Sequence, residues 1–448
     1  MAHFKQFHDP ELSIWQAAVG EVEAQRSVGA QTLDVGAPIV VTGRPDELDD
    51  MSSEAIAYCN QVDTGTPIAQ ATAGHPATEG LLQTAGFCSL TALKIAKAKL
   101  LGNATALEQY KNELAKFGDC DPKYAEAAAK YVDYFVAQQK QIPYIPYKNL
   151  SDFVIDGKLP AKAKIAIVGD WGTGQEAAKL VLRQIMNKNP DVVIHLGDIY
   201  YAGTQFEVTN YFLPLWQQVL NLGPNLDRIP TFTLTGNHDM YSGGVPYYQL
   251  IKQLGQPASY FCLRNANWQF VAMDTGYNDH NPSAAGAGAT YLQDPEVTWL
   301  ADKVNNAGAR NTVLLSHHQL FTAYDNIANK EINLRLYTQV SSFLPKVALW
   351  IWGHEHDFVP YDSYQNLKRS CCLGHGAFPV GMDELPKDPK YPDVPVIKDA
   401  AGKNMRLGIT DGQYNHGYAI IEIDGAAGKV SYYQDSDEDT PMLTQSLA

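Results

Sequence analysis

Residues 349–356 read Leu349-Trp350-Ile351-Trp352-Gly353-His354-Glu355-His356: an unbroken apolar run, a glycine, then two histidines. A short apolar run closed by a turn signal is the pattern of a buried strand, and the glycine allows the chain to turn sharply at its end. Four other stretches repeat the design, Ile165–Asp170, Val192–Asp198, Phe232–His238 and Thr312–His317. Together the five turns collect two aspartates, an asparagine, a tyrosine and several histidines, the donor inventory of a two-metal hydrolytic centre. In open α/β sheets ligands gather outside the carboxyl ends of the strands. A single Gly-Asp after a strand is ordinarily just a turn, and a single internal histidine ordinarily a satisfied polar group. Five such units in succession argue for one shared site.

Between these units the pattern changes to helical spacing. Gln175–Asn187 predicts an amphipathic helix with Ala177, Leu180, Val181 and Ile185 inward, and Asp294–Ala307 predicts another. Alternating strands and helices imply a mainly parallel or mixed sheet covered on both faces. Near the end, Tyr418–Ile423 and Lys429–Gln434 flank Asp424-Gly425, a hairpin signal. Residues 1–148 contain none of the strand–turn–donor units. Their spacing predicts helices over 11–26, 81–101, 104–117 and 122–141, with a loop-rich stretch over 31–80. The run Ile142-Pro143-Tyr144-Ile145-Pro146-Tyr147 cannot stay helical through both prolines, so the expected boundary lies there. The organisation read from the chain is a mainly helical region over 1–148 and a catalytic domain over 149–448. Residues 381–406, with four prolines, read as an irregular excursion able to lie over a site as a lid.

At 448 residues the chain exceeds the size at which a single core usually stops growing. Its composition, 45% hydrophobic and 19% charged, is that of a folded globular protein. The net charge of −15 argues against nonspecific nucleic-acid binding, which needs a basic face. It leaves room for an anionic substrate, because bound cations dominate the local field of a site. The six cysteines form no C-x-x-C pair and read as free buried thiols of a reducing compartment. No window approaches the ~20 apolar residues of a membrane span, and no leader-like stretch opens the chain. The cytoplasm is the default expectation.

The set Gly169-Asp170-Trp171-Gly172, Gly197-Asp198-Ile199-Tyr200-Tyr201, Gly236-Asn237-His238-Asp239, Leu315-Ser316-His317-His318 and Gly353-His354-Glu355-His356 resembles the calcineurin-like metallophosphoesterase superfamily over roughly 164–378. That resemblance implies a two-sheet mixed β-sandwich flanked by helices. Most of the superfamily carries Asp-x-His in the first motif, whereas position 172 here is glycine. Tyr201 instead stands three residues after Asp198. The exchange is similar to the purple acid phosphatase branch, in which a tyrosine binds ferric iron. A phenolate is a hard anionic oxygen donor suited to Fe(III), while imidazole suits softer divalent ions.

Carried over to this chain, the resemblance implies that Asp170, Tyr201 and His356 hold a first metal and that Asp198 bridges two. Asn237, His317 and His354 complete the second site, with His318 the alternative to His317. The implied cofactors are Fe(3+) and a divalent ion, iron, zinc or manganese. His238 is implied as the group near the leaving oxygen. Asp239 either orients its imidazole or caps the helix start. The better-known purple acid phosphatases carry further substrate-facing histidines beyond the fourth motif, but here that loop reads Leu320-Phe321-Thr322-Ala323-Tyr324-Asp325-Asn326. His318, Tyr324, His375 and His416 are the candidates left for substrate contact, each with plain packing as the competing role. The helical first third also departs from the β-rich amino-terminal domain of the plant-type enzymes.

The expected activity is therefore metal-assisted hydrolysis of a small phosphate monoester by activated water. The enzymatic rival is a phosphodiesterase acting on nucleotides or lipid head groups with a divalent-metal pair. A Ser/Thr protein phosphatase would need Asp-x-His and Asp-Arg-Gly, which Gly172 and Tyr200-Tyr201-Ala202-Gly203 do not supply. From a different class comes a scaffold protein with a vestigial metal site. It would show no hydrolysis when replete with metal.

Overall fold

The computed structural model describes Tyr134 and residues 141–447, apart from 201–202, 223–228, 281–289, 383–384 and 411. The four amino-terminal helices expected from the sequence lie outside the described residues, as does Tyr201.

In chain order the strands are β1 (Val154–Asp156), β2 (Lys162–Val168), β3 (Val192–His195), β4 (Thr231–Thr233), β5 (Phe261–Arg264), β6 (Trp268–Ala272), β7 (Asn311–Leu315) and β8 (Val347–Trp352). They continue with β9 (Phe358–Tyr361), β10 (Ser370–Leu373), β11 (Ile409–Thr410), β12 (Gln413–Tyr414), β13 (Gly417–Asp424), β14 (Ala427–Gln434) and β15 (Leu443–Ser446). They form a seven-stranded sheet in the order β1-β5-β6-β7-β8-β10-β9, a six-stranded sheet in the order β15-β14-β13-β2-β3-β4, and a small β11-β12 ribbon. Both large sheets are mixed. β2, β3 and β4 run parallel, as do β6, β7 and β8, while β13 joins β2 antiparallel. The two-sheet mixed arrangement with flanking helices matches the expected fold class.

Burial on both faces explains the continuous apolar runs. In β2, Ile165 and Ile167 point into the core between the sheets, whereas Ala166 and Val168 pack under helices on the outer face. β7 and β8 divide likewise. Val313, Leu315, Leu349 and Ile351 face the sandwich interior, and Leu314, Trp350 and Trp352 face the other side. At roughly 1.5–3 kcal/mol for each buried large apolar side chain, this inter-sheet core is the main force that sets the two sheets against each other.

The Glu176–Asn187 helix covers the six-stranded sheet, burying Ala178, Val181, Leu182 and Ile185. Those positions follow i, i+3, i+4, i+7; Val181 and Ile185 are buried as expected, whereas Ala178 and Leu182 take the inward places expected of Ala177 and Leu180, and Leu180 is exposed. The Asp294–Asn305 and Leu334–Val340 helices cover the seven-stranded sheet. The predicted hairpin is β13–β14, with Asp424 opposite Ala427. β1, β5, β9, β10, β11, β12 and β15 were not among the strands read from the sequence. The 385–406 stretch is strapped to the seven-stranded sheet's edge. Tyr391 N–H donates to Ala323 O, Ile397 N–H donates to Pro360 O, and Arg406 pairs with the buried Asp357 at 2.8 Å. Cys262, Cys371 and Cys372 are buried free thiols, and burial pushes the Cys262 thiol up to about 12. Among the described residues no helix is long and apolar enough to cross a membrane.

Three histidines are held neutral by burial. His195 and His375 are each driven down to about 3, and His416 to about 4. Their unfolded value is about 6.5, so below that pH the unfolded chain binds the extra protons. Each contribution is fully present above pH ~6.5 and is lost as pH falls towards the folded values, at up to about 1.4 kcal/mol per unit per histidine. Buried carboxyls raised to about 8 at Asp239 and about 7 at Asp279 act in the opposite sense over the same range, so the histidine contribution is read by difference. His195→Gln is expected to lose less urea-unfolding midpoint than the unmodified chain between pH 7 and 5, and an unchanged difference would contradict the burial of His195 as a neutral ring.

Candidate metal centre

The strand ends converge as the sequence implies. Asp170 follows β2, Asp198 follows β3, Asn237 and His238 follow β4, His317 follows β7, and His354 and His356 follow β8. Four of these donors take left-handed backbone conformations, with φ of 54° at Asp170, 74° at Asp198, 73° at His354 and 48° at His356. For residues with a Cβ this costs roughly 1–3 kcal/mol each, and such strain concentrates at functional sites. Here it turns each side chain out of the strand direction and into one shared space.

Two triads result. Donor atoms of Asp170, Asp198 and His356 lie within 4.8 Å of one another, and so do ring nitrogens of His317, His318 and His354. In the first, Asp170 Oδ1 is 3.4 Å from His356 Nε2, and Asp170 Oδ2 accepts the His354 backbone N–H at 2.9 Å. Asp198 links the two triads. Its Oδ1 accepts the His238 backbone N–H at 3.1 Å, and its buried Oδ2 has no hydrogen-bond donor but stands 3.3 Å from His317 Nε2. Asn237 Oδ1 lies 3.0 Å from His317 Nε2 and 3.1 Å from His354 Nδ1. Its amide nitrogen donates to Tyr241 Oη at 2.6 Å, which holds the oxygen towards the histidines.

The His317 Nδ1–H donates to the Leu196 carbonyl at 3.2 Å, which aims Nε2 into the centre. His354 Nδ1 is 3.2 Å from that same Nε2. An orphaned carboxylate oxygen and imidazole nitrogens crowded on an amide oxygen form a donor set that metal ions fit. Burial alone would raise the Asp198 carboxyl, but the surrounding imidazoles of His317, His238 and His354 hold it well below the usual range.

Glycine allows this crowding. A Cβ on Gly236 would come within 1.9 Å of Asp198 Oδ1, and one on Gly353 within 2.4 Å of Asp170 Oδ2.

The remaining predicted residues fall as follows. His238 is buried between the rings of Tyr200 and Tyr241, both 4.9 Å away, with Nε2 3.9 Å from Asp198 Oδ2. Asp239 serves the backbone, accepting N–H groups from Gly236 at 2.7 Å, Asp198 at 2.9 Å and Ile199 at 3.2 Å. Of the two roles open to it, these contacts are those of the cap. His318 is buried with one ring nitrogen on Thr275 and the other on Asp279. Tyr324 lies under the Arg406 guanidinium and accepts from Asn404. His375 packs on Phe358, both of its ring nitrogens lacking a partner, and His416 lines a groove of about 460 Å³ with Glu176, Arg183 and Asp435.

Two participants were missed. Tyr200 is fully buried, and its hydroxyl donates to Asp170 Oδ1 at 2.7 Å while standing 2.8 Å from His356 Nε2. The family resemblance implies its neighbour Tyr201, which lies outside the described residues. Asp279 carried no strand-end signal at all, because it sits in a 3-10 turn.

Residues 163–358 match the calcineurin-like phosphoesterase family model. Tartrate-resistant acid phosphatase type 5 of Mus musculus is 23% identical over 225 residues, spanning 43% of this chain and 66% of that protein, just under two thirds of its length. Similar solved structures include a dimetal phosphatase from Danio rerio (12% identity, TM-score 0.38, covering 64% of this chain and 98% of that one). An anchor of the inner membrane complex of Plasmodium is comparable (12% identity, TM-score 0.40, 64% and 88%).

Gly236→Ala and Gly353→Ala are each expected to abolish tight metal retention while the β-rich fold survives. Displacing a carboxylate by about 1 Å is enough to cost on the order of 100-fold in activity. Elemental analysis beside circular dichroism checks this, and full metal content in either variant would contradict the close packing.

Proposed function

We propose that this chain is a dinuclear-metal phosphoesterase that hydrolyses small phosphate monoesters. The observation that carries the reading is the pair of buried donor triads joined by Asp198, whose two carboxylate oxygens face different neighbours. Asp170 and His356, with a tyrosine hydroxyl, would hold the first ion. Asp198 would bridge, and Asn237, His317 and His354 would hold the second. When bound, the ions supply Lewis acidity to the phosphoryl oxygens and acidify the attacking water.

The chain's own residues do the rest. The Leu196 carbonyl and Tyr241 hydroxyl orient His317 and Asn237, and the aromatic walls around His238 keep its imidazole aimed at the centre. His238 is the group placed to deliver a proton or a hydrogen bond to the leaving oxygen. The similarity to an acid phosphatase supports the monoester reading. Ferric iron at the first site is supported by the phenol beside Asp170 and His356, a hard oxygen donor. The family resemblance favours Tyr201 for this donor, and the contacts of Tyr200 with Asp170 and His356 make it a second candidate.

Protein purified with its metals is expected to show a visible tyrosinate-to-Fe(III) band and to cleave monoesters faster than diesters. The band should vanish in Tyr200→Phe or in Tyr201→Phe, whichever supplies the phenolate. A colourless protein carrying two manganese or zinc ions would overturn the ferric assignment and favour the diesterase reading. His238→Ala should lower kcat by about 10²–10⁴-fold with metal content unchanged. Undiminished kcat would remove it from the chemistry.

A further inference from the structure

We infer that His318 is a further protein ligand of the second metal ion, giving that ion three imidazoles and a preference for nitrogen-loving divalent metals; this rests on the dinuclear reading above. The family resemblance offers His318 only in place of His317 or as a substrate contact, not as a ligand beside His317.

Three observations carry the assignment. The first is distance. One ring nitrogen of His318 lies within 4.8 Å of the donor nitrogens of both His317 and His354. Imidazoles bound to one ion at about 2.0–2.1 Å put their nitrogens roughly 3.3 Å apart. His317 Nε2 and His354 Nδ1 already stand at 3.2 Å, so this pair is set for an ion, and the His318 nitrogen, within 4.8 Å of both, is the third imidazole donor beside it.

The second is packing. The His318 ring centroid is 4.4 Å from that of His354 and 4.8 Å from that of His317, which confines it to the same small volume. His318 is 2% exposed, so it is held inside the centre and away from solvent.

The third is the outer support. Metal-binding histidines characteristically give their second ring nitrogen to a carboxylate or another polar group, which fixes ring orientation. His318 has such partners on both sides, Thr275 Oγ1 at 3.0 Å and Asp279 Oδ2 at 3.0 Å. Ligation would exchange one of these two contacts for the ion and leave the other as the support. Thr275 Oγ1 also accepts the His318 backbone N–H at 3.1 Å, so the residue is anchored at its main chain while the ring adjusts.

The consequence is chemical selectivity. An amide oxygen, a carboxylate and two imidazoles accept manganese or magnesium readily. A third imidazole shifts the balance towards zinc and its neighbours in the transition series.

The test uses the full chain, stripped of metal and then reloaded with zinc, manganese or cobalt. X-ray absorption of the unmodified zinc-loaded protein is expected to require three imidazoles at the second site. His318→Gln should reduce that count to two, alter the visible spectrum of the cobalt form, and weaken second-site zinc binding at least about 10-fold. The variant's manganese affinity and first-site occupancy should change little. Asp279→Asn, which keeps the ring, should retain three imidazoles. Melting of the metal-free variants shows whether they fold, and the absorption count on the unmodified protein stands without any variant. Two bound ions with only two imidazoles at the second site would overturn this assignment alone. Fewer than two bound ions in the unmodified chain would overturn it together with the dinuclear reading.

Discussion

Two buried carboxylates, Asp170 and Asp198, set the terms for everything around them. Both are fully shielded from water, and the groups that face them are backbone N–H groups, a phenol and imidazoles. Burying an ionised carboxylate is costly unless it is paired, hydrogen-bonded or bound to a cation. Imidazoles compensate only while protonated, whereas multivalent cations compensate both carboxylates at once. The strained backbone at both aspartates and the glycines pressed against them make sense as the means of gathering such donors into one volume.

The sandwich explains why the centre needs the whole domain. Asp170, Asp198 and Asn237 belong to turns after β2, β3 and β4 of the six-stranded sheet. His317, His318, His354 and His356 belong to turns after β7 and β8 of the seven-stranded sheet. Each candidate metal site therefore takes donors from both sheets. The apolar core between the sheets fixes the distance across this seam, and a loss of packing there would spread the donors apart before any of them was itself altered.

Carboxylates in and around the centre divide the work by their surroundings. Asp239 spends its oxygens on three backbone N–H groups and ties the β3 and β4 turns together. Burial and the nearby Asp198 push its carboxyl up to about 8. Asp279, pushed up to about 7 by burial, supports the His318 ring. One residue type thus serves as candidate ligand, loop brace and ring support within a single pocket.

Much of this was legible in the chain. Apolar runs ending in Gly-Asp, Gly-Asn-His, Ser-His-His and Gly-His-Glu-His announce buried strands with donors at their carboxyl ends, because strand burial and sharp turning are local requirements written in adjacent residues. The hairpin of β13 and β14 was equally local. What escaped depended on contacts between distant segments. The contacts of the Tyr200 hydroxyl with Asp170 and His356 reach 30 and 156 residues along the chain, which no local pattern signals. Asp279 gained its place through His318, 39 residues on. On the Glu176–Asn187 helix Val181 and Ile185 were placed correctly, but Ala177 and Leu180 were chosen over Ala178 and Leu182 because apolar residues sit on both sides of the stripe and the sheet beneath decides which are covered. The sequence by itself determined which donors exist and where each strand delivers them. Only the tertiary structure decided which donors meet, because two sheets held apart by a shared core set distances that no local pattern encodes.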